Sequence, residues 1–197
     1  MTIYDLKPAF QNLLRPMAAS LVRRGISANQ VTIAAFALSL AQAVLVALTH
    51  GAAWALALMP LTLFVRMALN AMDGIMAKEF GQKSALGAYL NELFDLLSDA
   101  ALYLSMAFMP GVSLWGVTLF TLTAAVSEYA GVLGWALTGR RRYEGPFGKS
   151  DRAFFLGVAA LLAAVGWTGS ETLSLFFYAG AILGTLTAIN RVKGGLR

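Results

Sequence analysis

Long apolar stretches separated by short polar segments run along most of the chain. A membrane-spanning helix needs about 20 mostly apolar residues. Six such stretches can be identified, at residues 28–50, 53–79, 86–109, 112–138, 152–168 and 171–190. The pattern therefore predicts an all-α integral membrane protein, with a bundle of six transmembrane helices forming a domain over residues 28–197.

Residues 1–27 precede the first apolar stretch and form a separate N-terminal segment. Apolar residues recur in it at helical spacing, with Arg15, Arg23 and Arg24 between them. This pattern is typical of an amphipathic helix that lies along the membrane interface, and Pro16 is expected to bend it. No cleavable signal peptide is recognised, so the first span is expected to act as an uncleaved signal.

Lys and Arg are confined to alternate connections. They precede the first predicted span, join spans two and three and spans four and five, and follow span six. The other three connections contain none, and only Arg66 falls outside this pattern. By the positive-inside rule both termini are predicted to be cytoplasmic. This placement assigns the net charge of +5 to topology and contact with membrane lipids, so no nucleic-acid partner is expected.

Composition excludes several kinds of chemistry. Only 13% of the residues are charged and 58% are hydrophobic, whereas soluble domains have about a quarter charged residues. The chain has no Cys and one His. Zinc–thiolate sites, iron–sulfur clusters, cysteine nucleophiles and multi-histidine metal sites are therefore excluded.

Polar side chains cluster in the second and third predicted spans. They are Arg66, Asn70 and Asp73 in the second, and Asn91, Glu92, Asp95 and Asp99 in the third. Charged groups inside a membrane are costly and mark functional sites or ion pairs. Apart from Glu92, the members of each set are three or four residues apart and share one helix face.

Antiparallel helices place residues at equal depth when their numbers sum to a constant. This rule predicts three level pairs: Asn70 with Asp95, Asp73 with Asn91, and Arg66 with Asp99. The first two pairs would line an oxygen-rich cavity suited to Mg²⁺, Mn²⁺ or Ca²⁺, with Glu92 as a further ligand or an acceptor behind the ligands. Arg66 and Asp99 are expected to form a structural ion pair. Glu128, in the fourth span, either approaches this cavity or faces polar atoms of another helix.

Residues 70–78 and 87–95 resemble the signature of the CDP-alcohol phosphotransferase family. That signature reads Asp-x-x-Asp-Gly-x-x-Ala-Arg, eight residues, Gly-x-x-x-Asp-x-x-x-Asp, and the spacing agrees at every position. Asp73, Gly74, Ala77, Gly87 and Asp95 match it, whereas Asn70, Lys78 and Asn91 are substitutions. With six predicted spans and the motif across the second and third, the resemblance covers essentially the whole chain.

The resemblance implies a metal-dependent enzyme of phospholipid synthesis. Its reaction would transfer a phosphatidyl group from CDP-diacylglycerol to a small polar alcohol and release CMP. One or two divalent metals, Mg²⁺ or Mn²⁺, would be surrounded by Asn70, Asp73, Asn91, Glu92 and Asp95. Asp95 would also be the catalytic base for the acceptor hydroxyl. The resemblance further implies a homodimer in the bacterial inner membrane.

Two further groups of residues are assigned roles by similarity to family members. The nucleotide is expected to contact Asn29, Thr32, Gly74, Ala77, Lys78 and Gly87. A helix N-cap at Ser27 or Asn29 is an equally good explanation of the polar residues before the first span. A phosphorylated or otherwise anionic acceptor is expected to bind Arg141, Lys149 and Arg152. For Lys149 and Arg152, the alternative is that they only set the topology.

The substitutions leave several interpretations open. Asn70 and Asn91 remove two negative charges from the metal site. The chain is then a working variant with an altered site, an enzyme with an unusual acceptor, or a catalytically degenerate relative. The rival class is a non-enzymatic membrane protein, either a scaffold that binds CDP-lipid or metal, or a cation-coupled carrier.

Overall fold

The computed structural model describes the backbone of residues 3–196 and the side chains of residues 9–196. The described residues contain no strand, which confirms the all-α prediction. The order is α1 (Ile3–Arg23), α2 (Ala28–Leu48), α3 (Ala53–Ala57), α4 (Met59–Glu79), α5 (Ala85–Ser105), a 3₁₀ turn (Met106–Phe108), α6 (Leu114–Thr138), α7 (Lys149–Ala164) and α8 (Ser170–Gly195). Residues 1–2 of the predicted N-terminal segment and Arg197 of the predicted membrane domain lie outside the described residues.

Four stretches of the described chain are long and apolar enough to cross a membrane. They are α2, the run Ala53–Glu79 that comprises α3 and α4, α6 and α8. The protein is therefore an integral membrane protein. Helices α5 and α7 coincide with the other two predicted spans, but α5 carries three acidic residues and α7 has only 16 residues. The count of six spans stays a prediction.

Local sequence explains where the helices begin and end. At the start of α2, the Gln30 backbone N–H donates to Ser27 Oγ at 3.3 Å, and the Ser27 N–H donates to Gln30 Oε1 at 2.8 Å. This reciprocal pair is a capping box. Ser27, not Asn29, is therefore the N-cap. Helix α6 ends at Thr138, and the Gly139 that caps it has a φ of 70°, the left-handed conformation that favours glycine.

The chain divides into two compact units, of which the first consists of Met1–Leu40 and Thr62–Ser98. In its core, Leu14 and Ala18 of α1 pack with the start of α2 and the last turns of α4. Leu13 and Met17 on α1 are exposed, as expected for an amphipathic helix at a membrane interface. Helix α1 continues through Pro16 without interruption.

The second unit consists of Ala41–Leu61 and Asp99–Arg197. Helices α6 and α8 pack closely because glycines leave room for side chains of the facing helix. A Cβ on Gly180 would lie 2.4 Å from Phe120, and one on Gly184 would lie 2.8 Å from Thr123. Small residues at helix contacts are typical of membrane bundles. Phe120 also packs against the rings of Tyr103 and Phe177.

Candidate functional site

The signature carboxylate Asp73 lies on α4 in the first unit and is buried. Thr32 of α2 donates from Oγ1 to Asp73 Oδ2 at 2.7 Å. Thr32 is predicted above to contact the nucleotide. The structure gives it a contact that orients the carboxylate, the arrangement commonly found behind metal ligands.

The second signature carboxylate, Asp95 on α5, receives two donors from α4. Asn70 donates from Nδ2 to Asp95 Oδ1 at 2.7 Å, which agrees with the level pair predicted for these residues. Arg66 Nη2 lies 3.3 Å from the same oxygen and 3.1 Å from the Asp95 backbone oxygen. In the second unit, Asp99 Oδ2 lies 4.0 Å from Arg152 Nη2. The pair of Arg66 with Asp99 stays a prediction.

The two signature glycines have different surroundings. A Cβ placed on Gly74 would have no heavy atom within 4 Å, so open space borders the α4 backbone next to Asp73. A Cβ on Gly87 would lie 2.7 Å from Asn29 Oδ1 and 3.0 Å from Ser84 Oγ. Gly87 therefore permits packing against Asn29, whereas Gly74 leaves space that a ligand can occupy.

The connection between α4 and α5 is attached to the start of α2. Gln82 Oε1 accepts the Ala28 backbone N–H at 2.6 Å, and Ser84 Oγ accepts the Gly87 N–H at 3.0 Å. Ala77 and Lys78 lie just before this connection, on the last turn of α4. Gln82 is absent from the predicted site, because it lies in the eight-residue gap of the signature, where no residue type is specified.

The predicted ligand set fits a divalent metal that binds together with a phosphorylated substrate. Asn91 and Glu92 are partly buried on α5 and complete the set. Among the described residues, no three His, Asp or Glu side chains are grouped to hold a metal by themselves. A metal bound here would therefore need amide oxygens, water or substrate phosphates beside the carboxylates of Asp73 and Asp95. Mg²⁺ in proteins is commonly held by one or two carboxylates, water and substrate phosphates, and this donor set fits that pattern.

Glu128 of α6 lies among three arginines in the second unit. Arg152 Nη2 lies 2.6 Å and Arg191 Nη1 lies 3.3 Å from Glu128 Oε1, and Arg141 Nη2 lies 3.4 Å from Oε2. The side chains of Arg152 and Arg191 are only 1% and 3% exposed. We call Glu128, Arg141, Arg152 and Arg191 the arginine cluster.

The arginine cluster has more positive than negative charge. Arg152 Nη1 also donates to Ser127 Oγ and to the Phe147 backbone oxygen, each at 3.1 Å. Even so, the Nε groups of Arg152 and Arg191 are buried without a hydrogen-bond partner in the described structure. Buried charge is costly unless it is compensated. The positive charge of the three arginines therefore exceeds the negative charge beside them, even with Asp99 at 4.0 Å from Arg152.

Arg191 is absent from the predicted acceptor site. It follows the last apolar stretch, where a basic residue serves topology equally well, so the sequence pattern contains no signal that separates the two roles. Arg152, whose alternative role is only to set topology, is buried. Lys149, the first residue of α7, is partly buried.

The connection between α6 and α7 is held against the helices of its own unit. The Arg142 backbone N–H donates to the Gly131 oxygen at 3.3 Å, and the Phe147 N–H donates to Thr187 Oγ1 at 3.0 Å. A hydrogen bond from its own backbone N–H holds the pKa of Glu144 below its ordinary value, with a smaller contribution from Arg142. These contacts determine where Arg141 and Lys149 lie.

The fold and these residues define a helical membrane protein with a carboxylate–amide network in one unit and buried arginines in the other. The chain belongs to the CDP-alcohol phosphatidyltransferase family, whose model matches residues 26–189. It is 42% identical to Inner membrane protein YnbA of Escherichia coli (strain K12), over 100% of this chain and 97% of that protein. It is 28% identical to archaetidylinositol phosphate synthase of Pyrococcus horikoshii, over 95% and 93%.

Solved structures of Mycobacterium tuberculosis phosphatidylinositol phosphate synthase (PgsA1) share the fold. The structure with CDP-DAG bound has a TM-score of 0.80 at 20% identity and covers 93% of this chain and 94% of that one. The complex with manganese and citrate has a TM-score of 0.78 at 22% identity, over 93% and 88%. The family match confirms the resemblance and makes this chain a phosphatidyltransferase-type transferase. The carrier and scaffold interpretations are not favoured.

Proposed function

We propose that this protein transfers a phosphatidyl group from CDP-diacylglycerol to a phosphorylated small alcohol and releases CMP. The observation that carries the proposal is the arginine cluster, whose buried positive charge suits an acceptor that bears a phosphate. The names of two relatives describe lipids with an inositol phosphate headgroup. Inositol phosphate is therefore the first acceptor to test.

The first unit would bind the reacting diphosphate of the CDP-lipid. Asp73 and Asp95, with oxygens of Asn70, Asn91 and Glu92, would hold one divalent ion, Mg²⁺ or Mn²⁺; a complex of PgsA1 contains manganese. Bound by these residues, the ion would supply positive charge that offsets the negative charge on the departing CMP. Asp95 would accept the proton of the acceptor hydroxyl. The acceptor oxygen bonds to the lipid phosphorus, and the bond from that phosphorus to the oxygen of CMP breaks.

The nucleotide would lie along the start of α2 and the last turns of α4. Open space at Gly74 supports this placement, because a nucleotide can approach the backbone there. Thr32 would act through Asp73, and the other nucleotide contacts would come from Asn29, Ala77, Lys78 and Gly87. One structural relative was solved with CDP-DAG bound, which supports this donor.

The acceptor phosphate would bind Arg141, Lys149 and Arg152, as the sequence predicts, and also Arg191. Guanidinium groups bind phosphate through paired, charge-assisted hydrogen bonds. Glu128 would keep the arginines together before the anion arrives, because its carboxylate contacts all three of them.

The membrane arrangement completes the proposal. Helices α5 and α7 would cross the membrane with the four apolar stretches, giving six spans with both termini in the cytoplasm, and the protein would be a homodimer in the bacterial inner membrane. The basic connections support this orientation, and the name of the Escherichia coli relative supports the location. Cysteine accessibility at introduced loop positions would test the orientation, and native mass measurement would test the dimer.

The test of the reaction is CMP release by the purified protein in detergent. CDP-diacylglycerol and Mg²⁺ or Mn²⁺ are supplied with matched acceptors: inositol phosphate beside inositol, and glycerol phosphate beside glycerol. We expect release that one phosphorylated acceptor stimulates and that a chelator or Asp95→Asn abolishes. Equal stimulation by inositol or glycerol would contradict the proposal that the acceptor carries a phosphate. Absence of CMP release with every acceptor would contradict the proposal itself.

A further inference from the structure

Asn70 makes a hydrogen bond that the aspartate of the family signature could not make. Its Nδ2 donates to Asp95 Oδ1 at 2.7 Å. An ionised aspartate has acceptors but no donor. At position 70 it would place a second negative charge beside Asp95, where the asparagine provides a donor, and like charges at this distance repel.

Arg66 contacts the same carboxylate oxygen and also the backbone oxygen of Asp95. Its Nη2 lies 3.3 Å from Asp95 Oδ1 and 3.1 Å from the backbone oxygen of the same residue. The Arg66 side chain is only 5% exposed, so surrounding atoms restrict its movement. Arg66 and Asn70 are four residues apart and share one face of α4. Two donors from that face therefore hold one oxygen of Asp95.

We propose that Asn70 and Arg66 are positioning residues that together fix the orientation of the Asp95 carboxylate. In this chain, asparagine at position 70 is a hydrogen-bond donor to Asp95 and not only a weaker form of a metal ligand. The inference rests on the proposed function in that Asp95 acts on the acceptor. It has an unusual consequence: Asn70→Asp, which restores the residue of the family signature, lowers turnover.

Kinetics and metal binding test this consequence in the full-length protein. The variants are Asn70→Asp, Asn70→Leu, Arg66→Lys, Arg66→Gln and, as the matched control, Asn12→Asp at an exposed position of α1. We expect kcat to fall about tenfold in Asn70→Asp and Asn70→Leu, since hydrogen bonds to charged groups are among the stronger ones. Arg66→Lys, which keeps the charge, should retain more activity than Arg66→Gln. The KM for CDP-diacylglycerol and the kcat of the control should not change.

Binding of Mn²⁺, followed by the electron paramagnetic resonance signal of the free ion, separates the donor role from a ligand role. Asn70→Asp should bind Mn²⁺ at least as tightly as the wild type while its kcat falls. A rise in kcat in Asn70→Asp would overturn the proposal. So would a loss of Mn²⁺ binding in Asn70→Leu as large as the loss in Asp73→Asn.

A double-mutant cycle tests the contact without any turnover. Thermal unfolding in detergent is compared for the wild type, Asn70→Leu, Asp95→Leu and the double variant. Residues in contact give non-additive changes, whereas independent residues add. Non-additive shifts support the positioning role, and additive shifts overturn it. If the wild type releases no CMP, the proposed function fails, and the cycle still decides whether Asn70 holds Asp95.

Discussion

The two units compensate the charges of their polar side chains in different ways. In the first unit, Asp73 and Asp95 are supported by a hydroxyl, an amide and one guanidinium. In the second, three arginines contact the carboxylate of Glu128, and Arg152 also lies 4.0 Å from Asp99. The first centre has few charges and borders open space at Gly74. The second, the arginine cluster, has four charged side chains, of which Arg152 and Arg191 are buried.

Under the proposed function, this difference matches what each centre would receive. A divalent ion and a diphosphate together bring both signs of charge, so the groups that receive them need correct orientation more than a large net charge. A phosphorylated acceptor brings only negative charge, so its site needs excess positive charge before the acceptor arrives. Neutral donors such as Thr32 and Asn70 suit the first task, and guanidinium groups suit the second.

Removing the carboxylate of Asp95 should have the largest effect on turnover. We expect Asp95→Asn to lower kcat about 10²–10⁴-fold, the usual contribution of a general base, while the protein still binds the CDP-lipid. The matched control is Glu79→Gln, which changes an exposed acid of the same unit that contacts Arg15 at 2.9 Å. Steady-state CMP release and a CDP-lipid binding assay provide the two readouts. An equal loss in the control would show that the effect is not specific to Asp95.

Changing the arginine cluster should affect the acceptor and not the donor. We expect Arg152→Met to raise the KM for a phosphorylated acceptor about 10–100-fold, because a hydrogen bond to a charged group contributes about 1.5–3 kcal/mol. The KM for CDP-diacylglycerol should not change. The acceptor KM of Arg152→Lys should lie between those of the wild type and Arg152→Met. Arg140→Met, at an exposed position of the same connection, is the control.

Thermal unfolding of the same variants separates binding from structure. Glu128 keeps Arg141 and Arg191 as partners when Arg152 is removed, so Arg152→Met should remain folded. An unchanged acceptor KM together with a lower unfolding temperature would show that the cluster is only structural. That outcome would remove the phosphorylated acceptor from the proposed function.

Substituting the two signature glycines should have the smallest effect of these changes. The two substitutions should change the free energy of unfolding in opposite directions. Gly74→Ala should raise the free energy of unfolding by up to about 1 kcal/mol, because alanine is favoured over glycine in a helix interior and no atom opposes the new Cβ. Its kcat/KM for the CDP-lipid should nevertheless fall. Gly87→Ala should lower stability, since its Cβ would meet Asn29. Full activity of Gly74→Ala would show that no nucleotide approaches that backbone.

Most of the fold could be predicted from sequence because membrane helices depend on a local property. An apolar run of sufficient length forms a helix in lipid whatever its neighbours are, since all its backbone hydrogen bonds lie within the segment. Hence four predicted spans coincide with α2, the run that comprises α3 and α4, α6 and α8 to within about five residues. For the charged α5 and the short α7, the length of the apolar run does not decide whether the helix crosses the membrane.

The candidate site could be predicted only in part. Helical spacing placed Arg66, Asn70 and Asp73 on one face, and the depth rule paired Asn70 with Asp95. The sequence predicts an N-cap at Ser27 or Asn29, and the structure places it at Ser27. The contact of Arg66 with Asp95 and the attachment of Gln82 to Ala28 are not predicted. Each depends on side-chain directions or on a connection, which residue spacing does not specify.

The sequence by itself determined the helical class, the apolar spans and the residue types available for metal chemistry, because these follow from local hydropathy and composition. Tertiary structure alone decided that Arg191 joins Arg141 and Arg152 at Glu128. It also decided that one signature glycine borders open space while the other packs against Asn29. These features depend on how segments distant in the chain pack together, and local pattern contains no information about that packing.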